Sequence, residues 1–101
     1  ELSIMKKIKM YLDRIKDELH GAKNYAECYV YYKTSKPEWS RKYHDMAMQE
    51  LNHAQNFKDM GTQEYEEISK TYISPECKEE WEECMWKYAD KVARIKMMLE
   101  A

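Results

Sequence analysis

Residues 46–57 read MAMQELNHAQNF and place a carboxylate and an imidazole, Glu50 and His53, three positions apart. The series to which this pair belongs advances in alternating steps of four and three: Trp39, Tyr43, Met46, Glu50, His53, Phe57 and Met60. Because such steps keep side chains on one face of an α-helix, the pattern predicts a helix packed along that face. An unpartnered charge on a packed face is costly, so Glu50 and His53 indicate either a structural partner or a bound ligand.

A second pattern of the same kind comes earlier in the chain. Residues 3–33 contain no proline, and their only glycine is Gly21. One series within them follows the same steps: Ile4, Ile8, Tyr11, Ile15, Glu18, Ala22, Tyr25 and Tyr29. We therefore predict a helix over residues 3–33 whose packed face is interrupted by one carboxylate, that of Glu18.

The segment between these two patterns predicts a short turn. Pro37 suits the first turn of a helix, and Ser35 with Glu38 has the spacing of a capping box. The apolar period continues past Gly61. We therefore predict a second helix over residues 36–70.

The last part of the chain predicts a third helix over residues 75–99. Ser74 followed by Pro75 is typical of a helix N-cap and first position. The apolar face of this helix has no polar member: Trp81, Met85, Tyr88, Val92, Ile95 and Leu99. The three helices predict a single all-α domain over residues 1–101, an antiparallel helical hairpin plus a third helix.

Composition restricts the classes of function. The 17 basic and 19 acidic residues leave a formal net charge of −2, which offers no general attraction to nucleic acid or anionic membrane. No apolar run approaches the roughly 18 residues of a membrane span. The three cysteines, Cys28, Cys77 and Cys84, form no C-x-x-C pair. Free thiols in a cytoplasmic protein are expected from this pattern.

The polar exceptions on the first two helices are predicted to meet. Glu18 precedes the turn by roughly as many residues as Glu50 and His53 follow it, so an antiparallel hairpin places all three about 25 Å from the turn. Two carboxylates and an imidazole suit iron, manganese or zinc. The alternative is a metal-free network in which His53 is hydrogen-bonded between the two carboxylates. His20 and His44 lie off both series and are expected to face solvent.

At these residues the sequence resembles the ferritin-like superfamily, which includes rubrerythrins and encapsulated ferritins. The resemblance rests on ELHGAKNYAE over residues 18–27 and on QELNHA over residues 49–54. It covers the first two helices and implies a ferritin-like bundle with a di-iron centre. By that resemblance Glu18, Glu50 and His53 correspond to metal ligands.

The third helix departs from that family. A four-helix ferritin-like chain repeats the Glu and Glu-x-x-His ligands on its last two helices, whereas Met85, Tyr88 and Val92 stand where ligands are needed here. Either the site has decayed or a second copy of the chain completes it. Encapsulated ferritins resemble the second case, with a dinuclear site across a two-fold axis.

Two functions are therefore expected. The first is a metal-binding, di-iron ferritin-like protein, a homodimer or higher homo-oligomer that oxidises Fe(II) with dioxygen or peroxide; manganese and zinc are the alternative metals. Whether such a protein is an enzyme, a ferroxidase or a peroxidase, stays open, and no catalytic residue is assigned beyond the ligands. The second is a non-enzymatic helical interaction protein with a vestigial, metal-free site.

Overall fold

In the computed structural model, which describes residues 3–101, the chain forms three long α-helices. They are α1 (Ile4–Tyr32), α2 (Pro37–Ser69) and α3 (Pro75–Glu100). Each boundary lies within one residue of its predicted position. The all-α prediction, a helical hairpin plus a third helix, is confirmed.

Serine side chains cap two of the three helices. The Ser3 hydroxyl accepts a hydrogen bond from the backbone N–H of Lys6 at 3.2 Å. At the start of α3, the Ser74 hydroxyl accepts one from the backbone N–H of Cys77, also at 3.2 Å. Both satisfy a donor that a helix N-terminus otherwise leaves without a partner, and the N-cap predicted at Ser74 is confirmed.

The start of α2 differs from the prediction. Its N-cap is Lys36, which makes no side-chain capping bond, and Pro37 opens the helix. The capping box predicted for Ser35 and Glu38 is therefore wrong. The Lys36 N–H donates to the Tyr32 carbonyl at 2.9 Å. This bond makes the turn so tight that Ser35 falls one position too early to cap α2.

The bundle is long and flat, with extents of 54 × 24 × 15 Å. Helix α1 packs closely against both other helices, whereas α2 and α3 meet mainly through side chains. Small residues line the contact between α1 and α2, and all are fully buried: Ala22, Ala26, Ala47 and Ala54. The buried Ser40 hydroxyl donates to the Tyr29 carbonyl across the same contact at 2.6 Å. Small side chains here let the two helices approach closely.

Aromatic side chains join α3 to the hairpin. Trp81 is buried and stacks on Tyr65 of α2, with ring centroids 4.6 Å apart. Two turns further on, Tyr88 donates a hydrogen bond to Gln55 at 2.9 Å. A Cβ atom added at Gly61 would lie 3.4 Å from the Trp81 ring and 3.0 Å from Cβ of Tyr11. Glycine at position 61 therefore lets α2 approach both neighbours.

The buried face of α2 is not the one that the apolar series predicts. Trp39 and Met60, two members of the series, are 46% and 43% exposed. The buried positions are Ser40, Ala47, Leu51, Ala54, Gly61 and Ile68. Most of them follow a member of the series by one residue, which is a rotation of about 100° around the helix. The reason is that small residues occupy the positions where α2 approaches its neighbours most closely. The larger apolar residues flank that contact.

Two further features of the chain bear on the expectations from composition. Within residues 3–101, none of the helices combines the length and the apolar character that a membrane span needs. Cys28, Cys77 and Cys84 are all free thiols, and Cys84 is buried.

Candidate metal centre

The structure brings together the three polar side chains that interrupt the apolar series. Nδ1 of His53 lies 3.3 Å from Oε2 of Glu18 and 3.5 Å from Oε1 of Glu50. One potential ligand atom from each of the three residues lies within 4.8 Å of the others. Because Glu18 belongs to α1 and the other two to α2, the antiparallel hairpin creates this group. We call Glu18, Glu50 and His53 the triad.

The triad lies at the rim of the α1–α2 contact and is not enclosed in it. The side chain of His53 is 53% exposed, whereas those of Glu18 and Glu50 are 22% and 25% exposed. The expectation of a charge on a fully packed face is therefore wrong. The shifted burial of α2 explains this, because Leu51 and Ala54 take the central positions.

Gly21 makes room for the Glu50 carboxylate. A Cβ atom built at position 21 would lie 2.7 Å from Oε2 of Glu50, closer than real Cβ contacts come. In a helix interior glycine costs about 1 kcal/mol relative to alanine. Glycine at position 21 has a structural role that offsets this cost. It allows the Glu50 carboxylate from α2 to lie directly against the α1 backbone.

The environment of the triad raises the pKa of one of its carboxyl groups. Burial raises the pKa of Glu50 above its ordinary value of 4.5, and a hydrogen bond and charge repulsion with Glu18 raise it further. The neighbouring His53 lowers this pKa and only partly compensates. A cation between the two carboxylates would relieve this repulsion.

The triad faces away from α3. Gln55 contacts Tyr88 of α3, and His53 precedes Gln55 by two residues, which is about 200° around the helix. By helical spacing, the apolar and aromatic members of the two series lie on the same side of the hairpin as the triad. We call this surface the open face, and these residues are all partly or largely exposed: Tyr25, Tyr43, Met46, Phe57 and Met60. Tyr25 and Tyr43 lie near each other, with ring centroids 6.1 Å apart. Among the described residues, no helix covers the open face.

The other two histidines lie apart from the triad. His20 is exposed, as predicted, and lines a groove between α1 and α3. His44 is half-buried and packs edge-on against the Tyr29 ring at 5.1 Å, so the expectation that it faces solvent is wrong. Its position near the turn places it beyond the reach of the triad.

Two of the distances within the triad can be compared with those between the ligands of a bound ion. Ligand atoms about 2.0–2.2 Å from a tetrahedral ion are about 3.4 Å apart, close to the 3.3 and 3.5 Å that separate the His53 nitrogen from the two carboxylates. The same distances also fit hydrogen bonds that an Nδ1–H group of His53 donates to the carboxylates. One chain offers two carboxylates and one imidazole, which leaves any single-chain site open on the solvent side.

Comparisons with known proteins add no relative. The chain matches no family model, no curated protein and no solved structure at a significant level. The residues of the triad and their surroundings therefore carry the functional argument.

Glu50→Gln is expected to raise the thermal midpoint of the metal-free protein at pH 7. Folding raises the pKa of Glu50, so charging it opposes folding; this penalty is absent below the unfolded value near 4.5 and complete above the folded value. The gain over wild type should thus be a few degrees at pH 7, at about 4–8 °C per kcal/mol for a domain of this size. It should vanish below about pH 4.5.

Thermal unfolding followed by circular dichroism, in buffers containing chelator between pH 4 and pH 8, measures this difference. Glu27→Gln is the matched control, because Glu27 is an exposed carboxylate of α1 outside the triad. A gain that is the same at every pH, or a lower midpoint for Glu50→Gln at pH 7, would contradict the expectation.

Proposed function

We propose that the protein binds a divalent transition metal, iron first, at Glu18, Glu50 and His53. The observation that carries this proposal is the convergence of one ligand atom from each residue within 4.8 Å. Two independent details support it. Gly21 clears space for one carboxylate, and the pKa of Glu50 is raised by burial and, to a smaller extent, by repulsion from Glu18 that a cation would relieve.

The chemistry of the donor set fits iron, manganese and zinc. Carboxylate oxygen and imidazole nitrogen are ligands that all three accept. The resemblance of residues 18–27 and 49–54 to ferritin-like proteins favours iron. Fe(II) bound by these residues would be the species that dioxygen or peroxide oxidises. The chain itself holds the carboxylates from two helices at one height and presents Nδ1 of His53 towards both.

We further propose that a second copy of the chain completes the site. The triad lies on the open face among partly exposed apolar side chains, and an exposed apolar patch of this kind is typical of an interface. A two-fold contact is self-complementary. With the triad near its axis, such a contact would bring together four carboxylates and two imidazoles, a ligand set suited to a di-iron centre.

Elemental analysis of protein purified without chelators tests the metal, and sedimentation velocity on the same sample tests the assembly. Iron, manganese or zinc near one ion per chain, together with a dimer that dissociates on chelation, would support both parts. A metal-free monomer that stays monomeric after addition of Fe(II) or Mn(II) would overturn them.

Gly21→Ala is expected to separate metal binding from folding. Alanine favours a helix interior by about 1 kcal/mol, and the Glu50 carboxylate is the end of a flexible side chain that can move away. The metal-free variant should therefore be as stable as wild type or more stable by up to that amount. Its affinity for Mn(II) should fall, because Glu50 no longer lies beside Glu18.

Gly61→Ala is the control for this variant, since it offers the same gain in helix propensity. There the added methyl meets Cβ of Tyr11 at 3.0 Å, an atom fixed to the backbone of α1. Overpacking of about 1–3 kcal/mol should cancel the gain, without a direct effect on the metal site. Thermal unfolding with chelator and Mn(II) titration by calorimetry measure both quantities. Unchanged Mn(II) affinity in Gly21→Ala would contradict the role given to this glycine.

A second candidate function is a helical interaction protein with a metal-free triad. The contacts of His53 with both carboxylates favour it, because an Nδ1–H group that donates hydrogen bonds to them satisfies the group without an ion. Within residues 3–101, no buried side-chain polar atom lacks a hydrogen-bond partner. In this case the open face would bind its partner regardless of metal, and chelation would leave assembly unchanged.

A further inference from the structure

A groove between α1 and α3 lies on the opposite surface from the triad. Lys16, on its rim, is two residues before Glu18 and therefore about 200° around α1 from it. The groove contains a cavity of about 320 Å³, whose floor includes Leu19, Ile95 and Met98. A second cavity of about 200 Å³ adjoins it and shares Lys16, Leu19 and Lys91 with the first. The volume of the first cavity is at the lower end of the range of small-molecule sites.

The rim of the groove concentrates positive charge in a chain whose net charge is −2. Five cationic side chains line the two cavities: Lys16, Lys23, Lys87, Lys91 and Arg94. Lys87 pairs with Glu83 at 2.8 Å, and Arg94 pairs with Asp90 at 3.0 Å.

The three remaining lysines carry the charge that is available to a ligand. Over the part of the chain that the structure describes, Lys16, Lys23 and Lys91 form no ion pair. Lysines beside an apolar surface commonly keep their ammonium groups in water. What distinguishes these three is that they border one cavity, from both of the helices that form it.

The floor of the groove is apolar, and its innermost members are well packed. Leu19 and Ile95 are 4% and 3% exposed, and Met98 is half-buried. Met98 therefore provides most of the floor's apolar surface that is in contact with water. A purely ionic ligand would use the lysines and leave that surface uncovered. A ligand with an apolar body would also cover the floor, which is favourable in proportion to the apolar area removed from water.

We propose that the α1–α3 groove binds an amphipathic anion, a small molecule with an apolar body and a carboxylate or phosphate head. The body lies on Leu19, Ile95 and Met98. The head receives hydrogen bonds from the ammonium groups of Lys16, Lys23 and Lys91, which are strong donors to anionic oxygen. This site is independent of the metal proposed at the triad.

The test is a titration of the full chain with four probes below their micelle-forming concentrations. Decyl phosphate and decanoate carry both features, inorganic phosphate carries the head alone, and 1-decanol carries the body alone. Calorimetry gives the affinity, and amide chemical shifts give the location. Decyl phosphate, decanoate or both should bind at least about 10-fold more tightly than either single-feature probe, with shifts at Leu19, Ile95 and Met98. A preference between the two heads would identify the head group.

Variants of the rim test the role of the charges. Lys91→Gln and Lys16→Gln should each weaken binding by about 2–5-fold, the range of an exposed ion pair. Raising the ionic strength should weaken it further. Lys42→Gln, which changes an exposed lysine of α2 outside the groove, should bind the probes as wild type does.

Three outcomes would overturn the proposal. The first is inorganic phosphate binding as tightly as decyl phosphate, which would leave no role for the apolar floor. The second is an affinity unchanged in both rim variants. The third is a shift map centred on the open face around Phe57 and Met60, which would place the alkyl chain on the other surface.

Discussion

Replacing Glu50 with alanine should lower the affinity for Fe(II) or Mn(II) by more than about 100-fold. Removing a residue that only hydrogen-bonds to a metal ligand typically costs about 10–100-fold, and Glu50 is proposed as a ligand itself. Glu50 provides one of two carboxylates in a group of three ligand atoms. Its loss leaves one carboxylate and one imidazole from each chain. Metal-dependent stabilisation should disappear with it, since a ligand that binds only the folded state stabilises by mass action.

The measurement is a Mn(II) titration by calorimetry, paired with thermal midpoints in the presence of chelator and of metal. With chelator, the variant should unfold at or above the wild-type midpoint, because the repulsion between Glu18 and Glu50 is gone. With metal, only wild type should gain stability. Glu27→Ala is the control, because it removes an exposed carboxylate outside the triad, on α1. Equal metal-induced shifts in wild type and Glu50→Ala would exclude the triad as the binding site.

Trp81→Ala should destabilise the fold by about 3–5 kcal/mol, the usual cost of truncating a buried large aromatic residue. Trp81 is 6% exposed and stacks on Tyr65. Its ring also lies over Gly61, so the truncation would leave a cavity where all three helices meet. Since domains of this size have total stabilities of only about 5–15 kcal/mol, much of the native stability would be lost.

The chain contains a matched control for this variant. Trp86, five residues later on the same helix, is 70% exposed, so Trp86→Ala removes the same side chain with little loss of packing. Urea unfolding followed by circular dichroism gives both free energies of unfolding. A cost for Trp86→Ala equal to that for Trp81→Ala would contradict the packing described for α3. It would also indicate that Trp86 is buried in an assembly.

The elements of this fold could be predicted from sequence, but the orientation of α2 could not. Steps of four and three, together with proline and serine at the boundaries, are local signals, and they placed all three helices correctly. The face of α2 that packs against α1 depends on which side chains let two backbones approach. Ala47 and Ala54 are fully buried, although their side chains are small and only weakly hydrophobic. Trp39 and Met60 are much larger apolar residues, yet they stay partly exposed. A pattern weighted by hydrophobicity therefore selects the flanks of the contact.

The same reasoning explains what could be predicted of the candidate site. Equal distances from the turn were enough to bring Glu18 to Glu50 and His53, because an antiparallel hairpin fixes the height of each residue. The space that Gly21 provides for Glu50 could not be predicted, since a glycine in a helix interior does not reveal which atom lies beside it. The groove lined by Lys16 and Lys91 was also not predicted. Its lysines belong to exposed faces of two helices, and only their packing creates a common rim.

The unequal attachment of the three helices has a dynamic consequence. Helices α1 and α2 are joined from Ser40 against Tyr29 near the turn to Gly61 against Tyr11 near the far end. Helix α3 contacts α1 less extensively than α2 does, and it meets α2 mainly through side chains. The native state should therefore open in two stages, with α3 detaching at a lower free energy than the hairpin separates. In hydrogen exchange, the amides of α3 would report the partial opening and those of the hairpin the global one. The triad would keep its geometry through the first stage, while the groove would be lost.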